Sequence, residues 1–216
     1  MRQMTAAAKV ALVGCGAQAK YALEILATTG RQVSAVYDPV GKMAGGRLEG
    51  REIKPFGPDG AGLLRGDGAG EFLVCLADNR RKERLFNACL AAGLEPASLV
   101  HPTAVAASSA RLGRGVIVNP LAVIQPHAVV GDGCMVHAGV IVEHDNTIDA
   151  FANLGPGAKL AGWVRVGRGS TVFTGAVIAP GVSLGRDVVV GAGSVVLKDV
   201  PPGRTVAGVP AREIGP

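Results

Sequence analysis

Beginning at Val100, the sequence sets a small or aliphatic residue at every sixth position through Ala106, Leu112, Val118, Ile124, Val130, Val136, Val142 and Ile148. The step continues through Leu154, Leu160, Val166, Val172, Ile178, Leu184, Val190 and Val196. Seventeen consecutive positions obey it, sixteen of them Val, Ile or Leu, and none slips. A helix repeats at about 3.6 residues and a strand at about 2, so neither generates this pattern. A six-residue step is the mark of a parallel β-helix, in which each hexad supplies one short strand and one turn. Three hexads close a triangular coil, so the run predicts between five and six coils.

Four residues after each ladder position, small or β-branched side chains dominate: Ala122, Ala128, Cys134, Val140, Ala152, Ala158, Ser170, Ala176, Val182 and Ser194. Glycine directly follows the ladder position at Gly113, Gly131, Gly155, Gly167, Gly185 and Gly191, where it is expected to supply turn dihedrals. Composition agrees with a thin prism. The chain holds 32 Gly and only 8 aromatic residues, and 18 of those Gly but 3 of the aromatics lie beyond residue 97. At 48% apolar residues it has ample side chain to bury, which excludes disorder. An unbroken six-step leaves no room for extruded loops, so the β-helix cannot fold a lid over its own ligand. Ligand clefts are then expected between subunits or against the preceding domain. Pro201-Pro202 is expected to end the repeat, with the tail Val206–Ile214 folding away from it.

The first 97 residues have a different grammar. Lys9–Val13 reads as a buried strand running into Gly14-Cys15-Gly16, and Ala19–Thr28 as a helix with Tyr21, Ala22, Ile25 and Leu26 on one face. Gln32–Tyr37 reads as a second strand closed by Asp38-Pro39, and Phe72–Ala77 as a third. Arg80–Ala92 reads as a helix burying Leu85, Phe86, Cys89 and Leu90, while residues 40–70 are too rich in Gly to assign. Strands alternating with helices imply a small parallel sheet, about half a Rossmann unit. The fold expected is therefore α/β plus all-β, with a Rossmann-like domain over 1–97 and a β-helix with its tail over 98–216.

Net charge is +5, from 22 Lys and Arg against 17 Asp and Glu. No basic run exceeds Arg80–Lys82 and none is interleaved with aromatics, which argues against nucleic acid, while a mild positive field suits a phosphate-bearing small ligand. The four cysteines are widely spaced without a CxxC, so reduced thiols and no metal are expected. No apolar window reaches membrane-spanning length, and the chain reads as soluble and cytoplasmic.

Several motifs carry a resemblance. GCGAQAK (14–20), Asp38, LADNRRK (76–82), His101-Pro102, VEHDNTI (142–148), NLGPGAKLAG (153–162) and VAGVPAR (206–212) resemble the sugar acyltransferases of the sialic-acid O-acetyltransferase type, nearest the bacterial nucleotide-amino-sugar N-acetyltransferases. The resemblance implies left-handed β-helices assembled as homotrimers with inter-subunit active sites, acetyl-CoA as co-substrate and a nucleotide-linked amino sugar as acceptor. It also implies that His144 is the general base and Asp145 the acid that orients it. Histidine suits the step, because an attacking amine or hydroxyl must lose a proton near neutral pH. By the same resemblance Asn153, Gly162, Thr174 and Ala192 line the CoA groove. Gly14, Gly16, Ala17, Gln18, Asp38 and Ala77 line the nucleotide-sugar pocket, with amides at the following helix start meeting phosphates. Gln18, His137 and Asn153 stand where the family commonly has His, Asn and His, which leaves the acceptor sugar, and amine against hydroxyl, open. Cys15 reads as a packed loop residue. His127 and His137 read as surface or ladder residues.

Two other readings remain open from sequence. Gly14-Cys15-Gly16 with Asp38 also suits a nicotinamide-dependent oxidoreductase whose β-helix is an oligomerisation scaffold. A non-catalytic nucleotide-sugar-binding protein is the third.

Overall fold

A computed structural model describes residues 8–57 and 60–215. The chain forms two compact units. One comprises residues up to Ala77 together with Arg84–Ala97, and the other comprises Asp78–Glu83 and everything from Ser98.

The first unit is a six-stranded sheet flanked by helices. In chain order it runs β1 (Lys9–Val13), α1 (Ala17–Thr28), β2 (Val33–Asp38), β3 (Arg47–Leu48), β4 (Arg51–Pro55), α2 (Gly60–Gly66), β5 (Ala69–Val74), α3 (Asn79–Ala91, of which the residues up to Glu83 belong to the second unit) and β6 (Glu95–Pro96). The spatial order is β3-β4-β2-β1-β5-β6. Only β3 runs antiparallel to its neighbour. β1 sits at the centre with Val10–Val13 fully buried, as a continuous apolar run covered on both faces demands. Ala19, Ala22, Leu23, Ile25 and Leu26 of α1 and Phe86 and Cys89 of α3 are buried as well, and Phe86 meets Phe72 of β5 edge to face, with centroids 5.4 Å apart. Leu85 and Leu90 are only half-buried and Tyr21 is exposed, so the apolar face of each helix is narrower than the spacing suggested. The Gly-rich stretch left unassigned over 40–70 contains β3, β4 and α2, and β5 ends at Val74 rather than Ala77.

The second unit is a left-handed parallel β-helix of two-residue strands. Its first face stacks Leu99–Val100, Ile117–Val118, Met135–Val136, Asn153–Leu154, Thr171–Val172 and Val189–Val190 in parallel register. The second face runs from Val105–Ala106 to Val195–Val196 and the third from Arg111–Leu112 to Ser183–Leu184. Each strand pairs with the one a coil later, as Val123 does with Ile141. Ladder positions from Val118 to Val196 are buried to 2% exposure or less. Val100 and Ala106 are exposed, because they lie in the end coil, where no further coil stacks on the ladder.

Two features of the repeat depart from expectation. The left-handed dihedrals fall three residues after the ladder position, at eight glycines and at Leu121, His127, Asp145, Phe151, Trp163 and Asp187. The glycines directly after the ladder position serve close approach between coils instead. A Cβ on Gly131 would lie 2.7 Å from the Ala150 nitrogen, and one on Gly167 would lie 2.5 Å from the Gly185 carbonyl carbon. The tail does not fold away after Pro201-Pro202. Thr205–Gly208 adds a parallel strand to the first face beside Val189–Val190, then turns back in a hairpin with Ala211–Glu213. Val200 and Val206 stay buried, so apolar residues beyond the Pro pair still find the stack.

Candidate active site

His144 and Asp145 occupy the turn that leaves the second face after Val142. Asn146, fully buried behind them, braces this turn. Its Oδ1 accepts a hydrogen bond from the Val164 amide at 2.6 Å, and the Asp145 amide donates to the Pro126 carbonyl at 3.1 Å. A polar side chain inside an aliphatic prism is costly unless satisfied, and here it ties one coil to the next. The backbone of Asp145 is left-handed, at φ +58°, a strained setting for a residue with a Cβ. That conformation folds its carboxylate back onto its neighbour: His144 Nδ1 and Asp145 Oδ2 are 2.9 Å apart, and both side chains are 41% exposed. A carboxylate on Nδ1 fixes the proton there and leaves the Nε2 lone pair as acceptor.

The floor under the imidazole is Gly162, one coil on. A Cβ at this position would lie 2.7 Å from both Cε1 and Nε2 of His144. Beside it, Trp163 meets the imidazole edge to face, with centroids 4.5 Å apart and planes at 89°.

The residues expected along the CoA groove divide. Gly162 lies at the His144 turn. Asn153 is on the first face and nearly buried, while Thr174 and Ala192 are exposed on successive turns leaving that face, joined by the bond from the Gly193 amide to the Thr174 carbonyl. Within one chain the second face separates the two groups.

In the first unit the expected sugar-nucleotide residues gather at the carboxyl ends of β1, β2 and β5, where open parallel sheets take ligands. Gly14 has φ +120°, and a Cβ there would lie 2.5 Å from the Cys75 carbonyl oxygen, so the turn tolerates only Gly. Gly16 precedes α1 without a side-chain cap, leaving the amides of Ala17 and Gln18 at the helix start. Ala77 is exposed three residues past β5. Asp38 is 3% exposed and organises its own loop, accepting the Val40 amide at 2.8 Å and the Met43 amide at 2.6 Å. Burial pushes its carboxyl up, but the amides of Met43, Val40 and Gly41 outweigh burial and hold it below the usual carboxylate range. Cys15 beside it is pushed up by burial and by the Asp38 charge, which keeps the thiol protonated.

The bacterial transferase hexapeptide (six repeats) family matches residues 109–144. Among solved structures, the chain is similar to a histidine variant of perosamine N-acetyltransferase from Caulobacter crescentus in complex with CoA and GDP-perosamine. That match has 33% identity and a TM-score of 0.92 over 98% of this chain and 99% of that one. The acetyltransferase domain of PglB from Neisseria gonorrhoeae, in complex with acetyl coenzyme A, is 31% identical over 95% and 98%, with a TM-score of 0.85. The chain belongs to the hexapeptide-repeat nucleotide-amino-sugar acyltransferases. WeeI from Acinetobacter baumannii, 20% identical with a TM-score of 0.79 over 95% and 99%, shares the fold. No curated protein matches the sequence.

In this acyltransferase several polar residues that sequence reasoning passed over are buried in the second unit. Lys82, which the sequence marks only as the end of the basic run Arg80–Lys82, is 1% exposed. Asn79 of the same segment donates to the Gly169 carbonyl at 2.7 Å and to Thr171 Oγ1 at 3.0 Å, and Glu83 pairs with Arg168. His137 is 9% exposed. Burial, and then the Lys82 charge, hold its imidazole below the ordinary histidine range. Asn119, one coil earlier, donates to the Val136 carbonyl at 3.2 Å. Trp163 was missed as well, although the repeat gives it away, since it lies one coil plus one residue after His144. Among the described residues no group of three or more His, Cys, Asp or Glu could hold a metal ion, and no helix is long and apolar enough to cross a membrane.

Proposed function

We propose that this acyltransferase moves the acetyl group of acetyl-CoA onto the amino group of a nucleotide-linked sugar, with His144 as general base. The observation that carries the reading is the 2.9 Å His144–Asp145 pair, which leaves Nε2 as acceptor on an exposed turn. As the amine nitrogen attacks the thioester carbonyl carbon, Nε2 takes its proton. The carbon–sulfur bond then breaks and the thiolate of CoA leaves, to be protonated by the imidazolium. Asp145 holds the Nδ1 proton and offsets the transient charge. The CoA and GDP-perosamine bound by the Caulobacter protein support this choice of donor and acceptor over a nicotinamide oxidoreductase.

Asn153, Gly162, Thr174 and Ala192 would line the path of acetyl-CoA, with the Asn153 amide directed at the thioester oxygen. Because one chain holds these residues on two sides of its second face, the complete site requires a neighbouring subunit. Exposed apolar side chains around that face, Val105 at 59%, Leu121 at 67% and Val177 at 38%, support a homotrimer. Gly14, Gly16, Ala17, Gln18 and Ala77 would cradle the nucleotide sugar, and Asp38 would shape the loop beside it. As part of this reading the enzyme is cytoplasmic.

The test is release of CoA thiol from acetyl-CoA across a panel of nucleotide-linked amino sugars. His144→Ala should lower turnover by about 10²–10⁴-fold while leaving CoA binding near normal. Near wild-type turnover would remove His144 from the chemistry. A chain that binds the sugar nucleotide but releases no thiol would be the non-catalytic binding protein.

A further inference from the structure

Trp163 is the single tryptophan of the chain, and it sits where the fold least accommodates it. Its φ is +60°, in the turn position that eight other turns of the β-helix give to glycine. Its side chain is 61% exposed, so burial of the indole does not compensate the backbone strain within one chain. What the conformation does achieve is contact with the imidazole, at 4.5 Å between centroids and 89° between planes. The Trp163 amide also donates to the His144 carbonyl at 3.1 Å, fixing the two residues as one unit of the stack. With Asp145 on Nδ1 and the bare Gly162 below, the indole is the third contact limiting the ring.

We propose that Trp163 is a positioning residue that holds the His144 imidazole in its Asp145-bonded rotamer and so keeps Nε2 directed at the acceptor. The inference rests on the reading of His144 as base. An exposed histidine otherwise samples several staggered rotamers, and only one keeps the carboxylate bond. An edge-to-face aromatic contact is of the right strength to select among them.

Trp163→Gly tests this cleanly, because it installs the residue most common at this turn and relieves the backbone. The variant should fold and assemble as wild type does, yet lose about 3- to 10-fold in kcat with the KM for acetyl-CoA unchanged. Trp163→Phe should return kcat to within about twofold of wild type. Unchanged kcat in Trp163→Gly, a loss that Phe does not restore, or dissociation into monomers on size-exclusion chromatography would overturn the proposal, the last by making Trp163 an interface residue.

The lone indole also reports directly. The imidazole packed edge to face on the indole shapes its surroundings, so at one fixed pH the emission of the wild-type protein should differ in wavelength or intensity from that of His144→Ala. Identical emission from the two proteins refutes the contact. This measurement needs no turnover, so its failure strikes the inference alone, whereas an active His144→Ala strikes the reading beneath it.

Discussion

Replacing Gly162 by Ala isolates the geometry of the base from the stability of the fold. Gly162 does not adopt a left-handed φ, so its backbone accepts a Cβ. In such a position Gly→Ala stabilises by about 0.4–1 kcal/mol through the unfolded chain. The new methyl group, however, would lie 2.7 Å from Cε1 and Nε2 of His144, where ordinary contacts begin near 3.4 Å. The imidazole must therefore retreat by about 0.7 Å, and because it is 41% exposed it is free to swing outward rather than disturb the coil. That movement lengthens the 2.9 Å bond to Asp145 and displaces Nε2. A misplacement approaching 1 Å costs on the order of 10²-fold in rate. Gly162→Ala should then lose about that factor in kcat, measured by thiol release at saturating substrates, with a melting temperature equal to or above wild type. Gly131→Ala is the contrasting control: its Cβ would press on backbone, 2.7 Å from the Ala150 nitrogen, so the melting temperature falls instead. Wild-type kcat in Gly162→Ala would refute the argument. A raised KM for acetyl-CoA with kcat intact would assign Gly162 to donor binding alone.

Two further outcomes follow from the buried ionisable groups. Asp38→Asn swaps a loop-organising acceptor for a group that presents N–H toward other amides, so it should lower stability by about 1.5–3 kcal/mol and raise the acceptor KM without changing the donor KM. The reverse kinetic pattern would take the acceptor away from the first unit. His137 binds its proton less readily in the folded chain than in the unfolded one, because burial and Lys82 disfavour the imidazolium. Its contribution is therefore present above about pH 6.5 and lost as pH falls below that value. Urea unfolding should show stability dropping between about pH 7.5 and pH 5.5 in wild type and less so in His137→Asn. Equal drops would exclude His137 as the source.

The β-helix was legible because its period is imposed by geometry: residues at every sixth position face the axis, and a thin axis admits only aliphatic side chains. The His144–Asp145 pair was legible by resemblance, and adjacency in sequence placed both in one turn. What escaped has a common physical cause. Contacts between coils join residues about 18 apart, so Trp163 and Gly162 stand far from His144 in sequence yet touch it. Lys82 escaped because its neighbours Arg81 and Glu83 are charged and only half-buried, and a basic run gives no hint that one member turns inward. β3 and β4 escaped because Gly at 41, 45, 46 and 50 dilutes the alternation by which strands are read. The role of the glycines after the ladder was misjudged for the opposite reason. Sequence marks where Gly is required without saying whether dihedral freedom or missing volume is the requirement.

The constant coil length has a consequence for how a chain of this kind tolerates changes in length. Deleting one residue anywhere between Asp145 and Gly162 would carry Trp163 to the wrong corner and turn every later ladder residue out of the axis. Removing a whole coil of 18 residues elsewhere, such as Val100 to Ile117, would instead rejoin Leu99 to Val118 in the same register, since Leu99 and Ile117 already pair. The site is thus addressed by position within a coil and by its neighbouring coil, not by distance from either end of the chain. Coil number can vary in whole units while the catalytic corner stays unaltered.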